Sequence, residues 1–230
     1  MLETAMIFGA GFGTRMGALT KERPKPMIEV AGKPLIDHAL GFLRAGGVKR
    51  IVVNTHYKAE MLEAHLASHA DVVTIREMPD ILETGGGLRN ALPLLGKRPI
   101  LTLNADIIWY GLNPIEAMRG QWDAGAMDAL LLVLPVAKAI GYSGDGDFKL
   151  HKNNRLSRAT DADYVYSGLQ IINPVGIQEI KEKSFSINKL WDVGISKGRV
   201  SGLKYSEGWL DVGKQENIAE AEAILAGDHD

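Results

Sequence analysis

The stretch Ala5-Met6-Ile7-Phe8-Gly9-Ala10-Gly11-Phe12-Gly13-Thr14-Arg15-Met16, followed by Arg23-Pro24-Lys25-Pro26-Met27, decides how the rest of the chain is read. Ala5 to Phe8 is a short apolar run, a strand that stops at Gly9. Glycines at 9, 11 and 13 let the backbone turn tightly and let a ligand approach without meeting a Cβ. Exposed amides in such a loop form an anion-binding nest. Arg15 and Lys25 add full positive charge, suited to a polyphosphate. The prolines flanking Lys25 hold the chain extended and fix where its ammonium points. Two other phosphate loops fail on spacing. A dinucleotide fingerprint needs glycine at the position of Thr14, and no G-x-x-x-x-G-K-[ST] run occurs in the chain. Taken alone, the glycines also suit a plain turn with solvated charges.

Working outward, strand and helix patterns alternate. Leu35 to Ala45 has Ile36, Ala39, Leu40 and Leu43 on one helical face, with Gly46 and Gly47 as the stop. Ile51 to Val53 reads as a strand. Residues 58 to 69 read as a helix with Met61, Leu62 and Leu66 inward. Val72 to Ile75 is a third strand, 87 to 95 a short helix, and Ile100 to Leu103 a fourth strand. Such alternation predicts a mostly parallel sheet covered by helices. Ligands in such folds sit beyond the carboxyl ends of the strands, near a topological switch point. Chemistry does cluster there: Gly9 to Arg15, Asn54 to His56, Glu83 to Gly86, and Asp106 each follow a strand.

The second half is less regular. Ala129 to Val136 is an apolar run, Asp147 to Ala159 a hairpin around Asn153 and Asn154, and Tyr164 to Ile172 a strand. Helical patterns follow near 174–182 and 187–196. A last strand reaches Trp209 to Val212, and a terminal helix runs from about Gln215 to Ala226. No linker or internal repeat divides the chain, so a single domain is expected over 1–230.

Together these motifs resemble sugar-1-phosphate nucleotidyltransferases. GAGFGTRMGALTKERPKPM matches that signature, and Val30-Ala31-Gly32-Lys33-Pro34-Leu35-Ile36 continues it. So do Leu82-Glu83-Thr84-Gly85-Gly86-Gly87, Leu103-Asn104-Ala105-Asp106, Ser167-Gly168-Leu169-Gln170, and Trp209-Leu210-Asp211-Val212-Gly213. The short length, LETGGG, NKLWD at 188–192 and WLDVG resemble most the branch that uridylylates N-acetylmuramate 1-phosphate. Guanylyl transfer to mannose 1-phosphate is the neighbouring alternative, and a non-catalytic nucleotide-binding module a further one. Two positions depart from the pattern: Ala18 stands where proline is usual, and Lys214 where threonine is usual.

The resemblance implies an α/β fold with a Rossmann-like, mostly parallel mixed sheet. Its nucleotide-binding part would span about 1–110 and a smaller sugar-binding part about 111–230. Arg15 and Lys25 would be catalytic, stabilising phosphate charge. Gly9, Ala10, Gly11, Gly13, Thr14, Glu83, Thr84, Gly85, Gly86 and Asn104 would hold the nucleotide, UTP in the closest branch. Gly168, Gln170, Asn173 and Trp191 would lie near the sugar, although Trp191 also reads as plain core. Lys149, Arg158 and Lys189 compete for the second phosphate. Asp106 and Asp211 would hold Mg2+, a cation that prefers carboxylate and phosphate oxygens; a lone strand-end aspartate is otherwise a turn or cap. Thr84 also reads as a helix cap. His65 and His69 stand four apart, a metal spacing, but without a third ligand in the sequence they read as a solvated helix face.

Composition narrows the classes. Apolar residues make up 46% and charged residues 23% of 230, an ordinary globular balance. A net charge of -2 gives no general attraction to nucleic acid or anionic membrane, so neither is an expected partner. The absence of cysteine excludes disulfides and thiolate metal centres and fits a reducing cytoplasm. The N-terminus has no basic leader before its apolar run, and no apolar stretch reaches bilayer length. Monomer and dimer are both left open.

Overall fold

The computed structural model describes residues 2–96 and 98–227. In chain order the elements of the first half are β1 (Thr4–Phe8), α1 (Leu19–Glu22), β2 (Glu29–Val30), β3 (Lys33–Pro34), α2 (Leu35–Ala45), β4 (Arg50–Thr55), α3 (Ala59–Leu66), β5 (Val72–Arg76), α4 (Glu83–Leu95), β6 (Ile100–Asn104), β7 (Ile107–Tyr110) and α5 (Ile115–Gln121). The second half adds β8 (Ala129–Pro135), β9 (Lys149–Leu150), β10 (Leu156–Ser157), β11 (Tyr164–Ile172), α6 (Asn188–Ser196), β12 (Val200–Lys204), β13 (Gly208–Asp211) and α7 (Asn217–Ala226).

Seven strands form one sheet in the order β12-β8-β11-β6-β1-β4-β5. β1 pairs parallel with β4 and β6, β4 with β5, and β8 with β12. β11 is antiparallel to both of its neighbours, β6 and β8, so it alone runs against the other six. The chain passes from β1 to β4 and β5 on one side, then returns to place β6 on the other. The switch point is therefore between β1 and β6.

The period of two along β1 sorts its side chains onto two faces. Ala5 and Ile7 face a core built with Ile36, Leu40 and Leu43 of α2, Leu62 and Leu66 of α3, and Ile115 and Met118 of α5. Met6 faces the opposite core with Leu88 and Ala91 of α4 and Trp191 of α6. Both faces being covered explains why the strands read as continuous apolar runs. A third, smaller core joins Met16, Ile28, Leu35, Ile108, Leu210, Val212 and Ala221. It docks the segment after the glycine loop against the β7–β13 ribbon and α7.

The expected strands and the α2 helix lie where the periodicity placed them. Three readings differ. Met61 is 44% exposed, and Ala59 takes the inward place in its stead. The pattern at 174–182 yields only a single 3-10 turn, Ile177–Glu179, because Pro174 and Gly176 interrupt it. The helix expected from 87 begins at Glu83, with three consecutive glycines inside it. No helix among the described residues is long and apolar enough to cross a membrane.

Candidate active site

The carboxyl ends of β1 and β6 open a cleft of about 210 Å³ at the switch point. Its walls include Gly9, Ala10 and Gly11 from the loop after β1, Lys25 and Pro26, Glu83 and Thr84 from the start of α4, and Asn104 to Asp106 from the end of β6. Lys25 opens a 3-10 turn, Lys25–Met27, after an extended Pro24. That geometry aims its Nζ at Asp106 Oδ2, 2.5 Å away. Both side chains are largely shielded, at 12% and 23% exposure. Gly13 has φ +64, and a Cβ there would stand 2.8 Å from both Lys25 Cβ and Thr20 Cγ2. The loop and the lysine thus pack directly on each other, and glycine is required for it.

Asp211 comes from the far end of the chain. The N–H of Val212 donates to the Asp106 carbonyl at 2.9 Å, clipping the two aspartate-bearing segments together. The Asn217 amide donates to the Asp211 carbonyl at 2.7 Å and, at 3.2 Å, to that of Gly141. Burial and the neighbouring Asp106 charge push the Asp211 carboxyl up to about 6, against the opposing pull of Lys25 and Arg15. A Cβ on Gly213 would lie 2.7 Å from Asp211 Oδ1 and 3.3 Å from an Arg15 guanidinium nitrogen, so the arginine reaches the same corner. Arg15, Lys25, Asp106 and Asp211 are thereby brought together from four separate segments. Lys214 turns to Glu216 at 3.6 Å. Ala18 precedes the short helix α1.

Beneath the loop lies a buried polar network. The Gly9 N–H donates to Asn54 Oδ1 at 2.8 Å, and Asn54 Nδ2 donates to Glu77 Oε1 at 2.7 Å. The Leu82 N–H donates to the other Glu77 oxygen at 2.7 Å. Glu77 is fully buried, directly behind the cleft wall. It joins β1, β4 and the approach to α4. Sequence reasoning overlooked it: a charged residue one place beyond a strand carries no periodic signal, and only its partners reveal its place.

Other expected residues are placed elsewhere. The N–H groups of Gly85 and Gly86 donate to the Phe185 carbonyl at 2.8 and 3.1 Å. These glycines are buried for packing against 183–185, and Glu83 and Thr84 are what line the cleft. Thr84 does not cap the helix; its Oγ1 accepts the Ile187 N–H at 2.9 Å. Thr14 is exposed and forms no part of the cleft wall. Gly168, at φ +85 in a bulge of β11, lies beside Asn104 and Ile107. Because β11 runs backwards, the residues after it move away from the cleft. Gln170 pairs in register with Thr102 and accepts the Trp191 indole N–H at 2.8 Å in the core. Asn173 and Trp191 line a different cavity with Asp128 and Leu190. Lys149 pairs with Asp161, Arg158 with Asp192 and Lys189 with Glu182, and none of the three lines the cleft.

The arrangement can hold polyanions: Lys25 and Asp106 line the cleft beside the amides of the glycine loop, and Arg15 and Asp211 adjoin them. The family described as nucleotidyl transferase matches residues 4–143. The N-acetylmuramate alpha-1-phosphate uridylyltransferase of Caulobacter vibrioides is 38% identical, covering 96% of each chain. The protein of that name from Neisseria meningitidis is 34% identical over 96% of this chain and 97% of its own. A mannose-1-phosphate guanyltransferase of Hypocrea jecorina is 28% identical over 93% of this chain but 61% of its own length. Among solved structures, HddC from Yersinia pseudotuberculosis complexed with GMP-PN superposes with a TM-score of 0.77 at 20% identity, covering 97% of this chain and 99% of that one. That likeness speaks for the fold. The chain belongs to the nucleotidyl transferase family.

Proposed function

We propose that the protein transfers a uridylyl group from UTP to N-acetylmuramate 1-phosphate and releases pyrophosphate, using Mg2+ bound by Asp106 and Asp211. The observation that carries the reaction class is the Lys25–Asp106–Asp211–Arg15 corner beside the glycine loop, at the switch point of the sheet. The choice of base and sugar is supported by the two uridylyltransferases that match nearly the whole chain.

The sugar phosphate oxygen forms a bond to the α-phosphorus as the bond to the pyrophosphate oxygen breaks, in line. The attacking phosphate has a second pKa of about 6 and needs little help losing a proton. The residues therefore bind and orient rather than accept protons. Lys25 neutralises the α-phosphate, Arg15 holds the β- and γ-phosphates, and Gly9 to Gly13 cradle the nucleotide. A Cβ on Gly11 would meet no protein atom within 4 Å, so the need for glycine there comes from the ligand side. Glu83 and Thr84 border the nucleotide, and Gly168 lies toward the sugar, whose remaining contacts come from the second half. Two oxygen-only side chains that repel each other fit a hard divalent cation. When bound, that cation supplies positive charge to the phosphate oxygens.

The test is pyrophosphate release from a matrix of five nucleoside triphosphates and a panel of sugar 1-phosphates, with and without Mg2+. Turnover confined to UTP and N-acetylmuramate 1-phosphate is expected. Turnover with GTP and mannose 1-phosphate would keep the reaction and move the substrates. Silence in folded protein that binds nucleotide would leave a binding module.

A further inference from the structure

We propose that Asp37, His65 and His69 form a second metal site, separate from the cleft, that takes a borderline divalent cation of the zinc class. His65 lies in the last turn of α3 and His69 in the turn just beyond it, while Asp37 comes from the first turn of α2. The sequence offers only the two histidines, and the fold supplies the third donor from another helix. His65 Nε2 stands 2.9 Å from Asp37 Oδ1, and one donor atom from each of the three residues falls within 4.8 Å of the others. In a tetrahedral zinc site neighbouring donors are about 3.3 Å apart, so small side-chain rotations close the set. All three side chains are half-buried, open enough for an ion to enter and for water to complete the shell.

The donor chemistry separates this site from the cleft. Two imidazoles and one carboxylate favour zinc-like ions, whereas the oxygen-only pair Asp106 and Asp211 suits magnesium. None of the three residues lines the cleft. The surroundings also hold the ligands in place. Arg44 grips Asp71 through two hydrogen bonds of 2.7 and 2.8 Å and reaches His69 Nδ1 at 3.1 Å. An ion bound here would leave the Arg44–Asp71 pair intact. Its effect is to tie α2 to α3 across the outer face of the first core.

Tag-free, chelator-stripped protein, in excess Mg2+, is titrated with Zn2+ against a chromophoric competitor. One zinc per chain is expected, with affinity lowered at least about tenfold by His65→Ala, His69→Ala and Asp37→Asn. Zinc should raise the thermal midpoint of the wild type and not of those variants. Unfolding curves in chelator, matched to wild type, exclude misfolding as the cause, and His65→Gln provides a milder replacement. Absence of stoichiometric zinc overturns the proposal. So does zinc binding that survives the histidine substitutions or vanishes only in Asp106→Asn, which would put the ion in the cleft.

Discussion

Lys25 and Asp106 hold each other at 2.5 Å, and in the proposed reaction the ammonium would stabilise phosphate charge from that position. Lys25→Ala is expected to lower kcat/KM by at least about 10²-fold, measured by pyrophosphate release in protein shown to be folded by its unfolding curve. A normal rate would remove the lysine from the chemistry. Gly11→Ala separates ligand contact from folding in the same assay. Its Cβ meets nothing in the protein, so unfolding should shift by less than about 0.5 kcal/mol while KM for the nucleotide rises. His38 gives a pH prediction. Burial lowers its pKa from the ordinary value, outweighing the hydrogen bond to the Val30 carbonyl. The folded state therefore binds fewer protons than the unfolded chain as pH falls below about 6.5. Its contribution is present above that value and declines toward the lowered folded pKa. Denaturation between pH 8 and 5 should show a shallower acid-side loss for His38→Gln than for wild type.

At the scale of elements, the beginning of α4 is the most constrained junction. A Cβ on Gly85 would come within 2.4 Å of Phe185 Cε2 and 2.9 Å of the Phe185 carbonyl. The ring has no room to retreat, because Phe185 belongs to the second core. Gly85→Ala should cost about 1–3 kcal/mol in urea denaturation. Equal stability would mean that 183–187 moves freely. Glu77 governs the same junction from below. Glu77→Ala leaves the Asn54 amide and the Leu82 N–H without their acceptor, at about 1–3 kcal/mol each where buried. The loop that Asn54 supports through the Gly9 N–H should loosen as well, seen as faster amide exchange at Gly9.

At the scale of the molecule, opposite ends of the chain meet at the cleft: Lys25 and Asp106 line it from the first half, and Asp211, near the end, adjoins Asp106. Binding of nucleotide with Mg2+ should therefore raise the stability of the whole fold, by about 2.7 kcal/mol at a ligand concentration one hundred times Kd. In Asp106→Asn the increment due to Mg2+ should disappear while the nucleotide increment partly remains. Loss of neither would place the cation elsewhere.

The local patterns determine a good deal by themselves. The face of α2, the span of β11, the break at Gly9 and the gathering of chemistry after strand ends all follow from side-chain period and turn residues, because these act over a few residues. Pairing direction does not. Nothing in Tyr164 to Ile172 announces that it runs against its neighbours, yet that reversal keeps Gly168 beside Asn104 and carries Asn173 to another cavity. Glu77, the partners of Gly85 and Gly86, and the meeting of Asp37 with His65 are likewise matters of tertiary structure. Each depends on contacts between residues far apart in the chain, and which distant segments meet is decided by the packing of the whole.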